Sequence, residues 1–215
     1  MDMTEDAAAL LKFIRIAEKL KVELRHSYTS LIDRQESVAE HSWMLGLMAI
    51  LVFDLIEIKV DQLKVMKMVI IHNLAEAITG DIPSFEKSSR QSNKFSNEET
   101  AMKKITAILP PKVANEILNL WYEMEERKTN EAKVAQCLDK AEVLIQHNLA
   151  DIKTWDQGDF DTNCYYRDEY FDVDSFLREF KNFINEEVWD KIVKNKKLKL
   201  VPKKAIEKYN AAKTK

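Results

Sequence analysis

The chain has 215 residues with a formal net charge of −3 at pH 7, which leaves no bulk electrostatic case for nucleic-acid binding. Three glycines and four prolines are too few for the turns of a sheet protein of this size, so the composition predicts an all-α fold. Two cysteines, Cys137 and Cys164, form no recognisable motif and suit a reduced, cytoplasmic setting.

In chain order, residues 5–24 carry apolar side chains at helical spacing, from Leu10 and Leu11 to Leu20. Lys12, Arg15, Glu18 and Lys19 interrupt that stretch, so it is no signal peptide. Residues 25–34 are polar and turn-like. Ser37, with Glu40 three residues later, predicts a capping box and a helix to about Ile58 that carries His41. Its apolar run, Trp43 to Phe53, is too short to span a bilayer. Asp61 starts a helix expected to run to Thr79, and Gly80 suits its C-terminus. Residues 81–98 read as a polar loop. A helix follows from Ser96 to Leu109, and another after Pro110-Pro111, through Trp121 and Met124. A long helix over 131–154 carries Asp139. Residues 156–171, with Gly158 and three tyrosines, read as irregular, and a last helix covers 173–192. The expected division is one helical domain over residues 1–190 and a lysine-rich tail over 191–215, a solvated and disordered end.

His41, His72 and Asp139 fall on three predicted helices and can therefore converge. Two imidazoles and a carboxylate suit a hydrolytic metal site with positions left for water and phosphate. Glu76 lies four residues after His72, on the same helical face, so a ligand and a proton-transferring carboxylate can enter one pocket together. Asp81, just past Gly80, can orient the same water. Arg25 and Lys87 are candidate phosphate binders, the guanidinium being suited to bidentate contact. Taken singly, each of these residues has an ordinary core or surface role, and His26 and His147 receive no function.

The strings Arg34-Gln35-Glu36-Ser37-Val38-Ala39-Glu40-His41-Ser42, His72 through Lys87, and Leu138-Asp139-Lys140 together resemble HD-domain phosphohydrolases. Within them, Thr79-Gly80-Asp81-Ile82-Pro83 with Lys87 resembles the 5'-deoxynucleotidase-like group. The match in order and spacing covers roughly residues 10–155. The resemblance implies an HD-domain helical bundle with the metal site at its centre, and a homodimer. It implies a divalent metal ion such as cobalt or manganese, and hydrolysis of deoxyribonucleoside 5'-monophosphates to nucleoside and phosphate. By position, His41, His72, Asn73 and Asp139 occupy the metal-ligand places. Glu76 occupies the catalytic carboxylate's place and Asp81 that of its partner. Arg25 falls near the phosphate-binding arginine, and Tyr28 near an aromatic that faces the sugar.

Asn73 departs from the motif, which has an aspartate there. An amide brings no charge, so it should weaken divalent-ion affinity and impair activity. Two explanations compete: an Asp→Asn exchange introduced into an intact site, or a natural asparagine in a weak enzyme or a nucleotide-binding protein. The retained Glu76, Asp81 and Asp139 favour the first. A triphosphohydrolase acting on dNTPs is a same-class alternative, but no extra basic cluster is evident. Four histidines are too few for a di-iron oxygenase variant. No nucleic-acid or membrane partner is expected.

Overall fold

The computed structural model describes residues 3–213. It is helical, as the composition predicts, and the helices build outward from one central element. Helix α1 (Met3–Ala17) and a short 3-10 turn lead into strand β1 (Leu24–Tyr28), which pairs antiparallel with β2 (Gln35–Ser37). This hairpin occupies the segment expected to be turn-like. Its register is set at Leu24 opposite Ser37 and Tyr28 opposite Gln35. Gln146, more than a hundred residues away, donates to the Tyr28 carbonyl at 2.5 Å. The strands are thus tied down by tertiary contacts that local propensity does not encode.

Helix α2 (Val38–Val52) begins at the predicted capping box: Glu40 N–H donates to Ser37 Oγ, and Ser37 N–H donates to Glu40. Such a cap contributes about 1 kcal/mol. The helix ends before Ile58, because the N–H groups of Glu57 and Ile58 turn to the Asp174 carboxylate instead. Helix α3 (Gln62–Ile71) is capped by Asp61 and stops earlier than its sequence predicts. The chain makes a tight turn through residues 72–75, with Leu74 N–H bonded to Ile71 O and Glu76 N–H to Asn73 O. Helix α4 (Glu76–Thr79) then resumes and ends at Gly80, whose φ of 75° is the left-handed region that glycine tolerates.

Helix α5 (Ser89–Ser92) and helix α6 (Lys94–Thr106) follow, so the expected loop is shorter and already helical at Ser89. Helix α7 (Pro111–Glu126) starts at the second proline, whose missing N–H costs nothing at a first turn. Helix α8 (Asn130–Leu149) is the central element and packs against α2, α3, α7 and α10. The segment after it is partly ordered by a second capping box, Asp156 with Asp159, which starts α9 (Gln157–Thr162). Gly158 is essential to that fit. A Cβ there would lie 2.5 Å from the Phe85 ring, so only glycine lets this segment close on the loop after Gly80.

Helix α10 (Ser175–Lys194) and α11 (Lys203–Lys213) complete the chain. The residues expected to be a disordered tail are not free of the core. Val201 is buried, and Tyr209 stacks on Trp189 at 4.2 Å. Apolar contacts offset the lysine repulsion that composition emphasises. Among the described residues no helix is long and apolar enough to cross a membrane.

Candidate metal and substrate site

Helices α2, α3 and α8 each bring one donor to the interior. His41, early in α2, is fully buried, and its Nε2 lies 3.2 Å from Asp139 Oδ1. His72 closes α3, with Nε2 3.7 Å from the same oxygen. The three donor atoms lie within 4.8 Å of one another. Both rings are oriented from behind. His41 Nδ1 is 2.5 Å from Glu142 Oε2, and His72 Nδ1 is 3.0 Å from the Val69 carbonyl, so each ring turns Nε2 toward Asp139.

The electrostatics suit a cation. Burial holds the His72 imidazole below its ordinary pKa, in the neutral form that ligates. For His41, burial and Arg25 push the pKa down, but Glu142 and Asp139 outweigh them and raise it to about 9. Protons and metal ions therefore compete for that nitrogen. Burial would raise the Asp139 pKa, yet Lys140 and the two histidines hold it well below the carboxylate range. Two imidazoles and an ionised carboxylate fit a first-row divalent ion. The His72 Nε2 has no hydrogen-bond partner among the described residues, which a bound ion would correct.

Asn73 follows in the tight turn and is nearly buried, with its Nδ2 also unpartnered. It lines a cavity of about 110 Å³ together with Glu76, Asp81, Arg25, Lys94 and Asp139. An adjoining cleft of about 440 Å³ shares Asn73, Glu76 and Asp139 and is also lined by His72. Because the helix breaks at residues 72–75, His72 and Glu76 do not share a continuous helical face. The tight turn brings them to the same cleft instead.

Glu76 is 3 % exposed. Its Oε2 has no hydrogen-bond partner among the described residues, and its Oε1 is 3.9 Å from Lys94 Nζ. Burial and the Asp81 charge push its pKa up to about 8, against Arg25 and Lys94. A buried carboxyl oxygen left unpaired costs about 1–3 kcal/mol, the kind of strain expected where proton transfer is prepared. Arg25 on β1 lies between two acids, 3.4 Å from Glu36 and 3.7 Å from Asp81. Burial opposes its charge, but Asp81, Glu142, Glu76 and Glu36 together keep it ionised.

Two sequence candidates lie elsewhere. Lys87 is exposed and is not among the residues lining the cavity. Tyr28 is absent from the cavity wall too, and its backbone is used to anchor Gln146. The cation facing Glu76 is Lys94, which sequence reasoning missed because its helix begins earlier than expected. Glu142 was also missed, although its place three residues after Asp139 puts it on the same face of α8. His26, His147 and Asp159 line the cavity as well; only the fold brings these distant residues together.

The family model described as HD domain matches residues 17–181. The chain is 32 % identical over 141 residues to 5'-deoxynucleotidase HDDC2 of Homo sapiens, covering 65 % of this chain and 67 % of that protein. It is 32 % identical over 143 residues to 5'-deoxynucleotidase HDDC2 of Dictyostelium discoideum, covering 63 % and 74 %. Its fold is similar to the crystal structure of a protein from Magnetospirillum magnetotacticum MS-1 named a predicted metal-dependent phosphohydrolase. That match has a TM-score of 0.77 and 25 % identity, covering 92 % of this chain and 97 % of that one.

Proposed function

The chain belongs to the HD domain family, and on that premise we propose that it is a metal-dependent 5'-nucleotidase releasing phosphate from deoxyribonucleoside 5'-monophosphates. The observation that carries the reading is a buried Glu76, its pKa pushed up to about 8, in a cleft it shares with His72 and Asp139, two of the three clustered donors His41, His72 and Asp139. The names of the relatives supply the substrate class.

His41, His72 and Asp139 would hold the ion, cobalt or manganese, with the Asn73 amide oxygen as an uncharged fourth donor. Such an ion supplies Lewis-acid chemistry, lowering the pKa of water and neutralising phosphate charge. Arg25 and Lys94 are placed to hold phosphate oxygens, Arg25 keeping its charge through the surrounding acids. Hydrolysis breaks the bond between phosphorus and the 5'-oxygen, and water supplies the new oxygen. Glu76 takes the proton from that water at Oε2 and returns one to the leaving 5'-oxygen. Asp81 raises the proton affinity of Glu76 and restrains Arg25.

Asn73 removes one negative charge from this set, which weakens ion binding and impairs turnover. It also favours a second reading, a nucleotide-binding protein that turns over little. Phosphate release from a panel of deoxynucleoside monophosphates, with cobalt or manganese, tests both. Activity in the Asn73→Asp form supports the nucleotidase, and nucleotide binding without release in either form supports the second reading.

A homodimer fits the surface. Trp43, Leu47, Ile50 and Leu51 form one stripe on α2, and Trp43 is 63 % exposed. A helix apolar all round is normally covered, and a second copy of the chain is the proposed cover. The two cysteines are buried and free, which accords with a reduced, cytoplasmic setting.

A further inference from the structure

Four cationic side chains line the cleft of about 440 Å³: Lys94, Arg127, Lys140 and Arg167. Two of them are matched by acids inside it. Lys94 Nζ lies 3.5 Å from Glu98 and 3.9 Å from Glu76, and Lys140 Nζ lies 2.6 Å from Asp139. The two arginines are not matched in this way. Arg127 has no carboxylate within ion-pair distance among the described residues. Arg167 reaches only Glu169, at 3.9 Å, through a contact open to solvent that is worth little.

Both guanidinium groups gather on one aromatic ring. Arg127 Cζ lies 4.0 Å from the centre of the Tyr170 ring, and Arg167 Cζ lies 5.6 Å from it. A ring face attracts a cation, but two cations on the same ring repel each other. The backbone also turns sharply at each arginine. Arg127 ends α7 at a φ of 51°, and Arg167 precedes the 3-10 turn Asp168–Val173 at a φ of 54°. A residue with a side chain seldom adopts that left-handed region. Two bends in separate parts of the chain thus deliver an arginine to the same place, a basic pair that linear spacing does not reveal.

The pair stands where the cleft meets a second cavity of about 430 Å³, lined also by Lys133 and Gln136. Glu126 and Glu169 lie there too, Glu126 being paired with Lys128 at 3.0 Å. The buried end of the cleft holds His72, Glu76 and Asp139, whereas Arg127 and Arg167 are exposed. The cleft is within the roughly 300–1,000 Å³ of pockets that enclose a whole ligand, so one nucleotide can reach both ends. Guanidinium forks match phosphate oxygens in pairs, and an anion between the two arginines relieves their repulsion.

We propose that Arg127 and Arg167 form a second phosphate site at the exposed end of the cleft, holding a phosphate other than the one removed. The proposal rests on the nucleotidase reading, which puts the 5'-phosphate at the buried end. A second phosphate across the sugar, on the 3'-oxygen, then points to the exposed end, whereas that of a 5'-diphosphate adjoins the first. A separate phosphate ion offers the same chemistry.

The test compares a 2'-deoxynucleoside 5'-monophosphate with the 3',5'-bisphosphate of the same base. Binding is measured by calorimetry with manganese present, and phosphate release from the monophosphate is followed in the Asn73→Asp form. The bisphosphate should bind about 10- to 100-fold more tightly, the range for hydrogen bonds to a charged group. The double variant Arg127→Gln/Arg167→Gln should lose that gain. Inorganic phosphate titrated onto protein saturated with the monophosphate reads the other source. Binding there that disappears in the double variant supports the site as one for a free ion. No gain for the bisphosphate together with no binding of inorganic phosphate overturns the proposal, even if the double variant fails to fold. An undiminished gain in the folded double variant overturns it as well. Release from the monophosphate without any second phosphate bound leaves the nucleotidase reading intact, whereas neither binding nor release of either nucleotide overturns both.

Discussion

His41 Nδ1 lies 2.5 Å from Glu142 Oε2, both groups fully enclosed by α2 and α8. The contact decides which imidazole nitrogen can face a metal ion. With Nδ1–H donating to the carboxylate, Nε2 is directed at Asp139. Glu142→Ala should weaken cobalt or manganese binding about 10- to 100-fold. Glu142→Gln keeps an acceptor for Nδ1–H and should retain more affinity. Calorimetric titration of the folded proteins checks both. Unchanged affinity in Glu142→Ala would show that His41 needs no such support.

Asn73 is the one uncharged member of the proposed ligand set. Asn73→Asp should tighten divalent-ion binding by about tenfold or more, since ligand charge tunes such sites. It should also raise phosphate release from deoxynucleoside monophosphates. A more tightly bound ion with no gain in release would favour the binding-protein reading.

Glu76 links pH to stability with a definite sign. Its carboxyl goes from 4.5 in the unfolded chain to about 8 in the fold, through burial and Asp81. A raised pKa means that its protonated form stabilises the fold. That contribution is complete below about pH 4.5 and is lost as pH rises through about 8. Glutamine has no charge to bury. Metal-free Glu76→Gln should therefore melt above the parent at pH 8.5, with the advantage gone near pH 4.5. With cobalt or manganese added, phosphate release by Glu76→Gln should fall about 10²- to 10⁴-fold. Identical melting at pH 8.5 would contradict the proposed burial cost.

Lys94 and Lys87 separate what the fold contributes from what the motif offers. Lys94 lines the cavity and faces Glu76 and Glu98, whereas Lys87 is exposed. Lys94→Met should raise KM for the nucleotide about tenfold, the cost of one charged hydrogen bond. Lys87→Met should stay close to the parent. The reverse ranking in steady-state kinetics would return the phosphate to Lys87.

The apolar stripe on α2 predicts an association state. Trp43→Glu places a charge in the stripe, and sedimentation velocity should show a shift from dimer to monomer. A parent that sediments as a monomer at micromolar concentration would remove the proposal.

Much of the helical order could be read locally. The Ser37–Glu40 capping box, the Asp61 cap, the proline break before α7 and the Gly80 terminus all depend on residues a few positions apart. Residue chemistry on separate predicted helices made His41, His72, Glu76, Asp81 and Asp139 candidates, the family resemblance assigned their places, and the fold brings all five toward one interior region. The reading missed one local turn and one segment held by a distant partner. The α3 helix gives way to a tight turn at 72–75, and the segment before Ser37 becomes a hairpin held by Gln146.

The sequence by itself determined the all-helical class, the main helices and the types of chemistry-bearing residue. Periodicity, caps and breakers act over a turn or two, and they are fully present in the linear chain. Only the tertiary structure decided that Lys94 rather than Lys87 faces Glu76, and that Glu142 orients His41. It alone made Asp159 a buried acceptor beside His147. Those outcomes depend on burial and on distances between segments 101 and 133 residues apart. Charge strength and hydrogen-bond satisfaction are properties of the enclosed site, so they exist only once α2, α3 and α8 have packed.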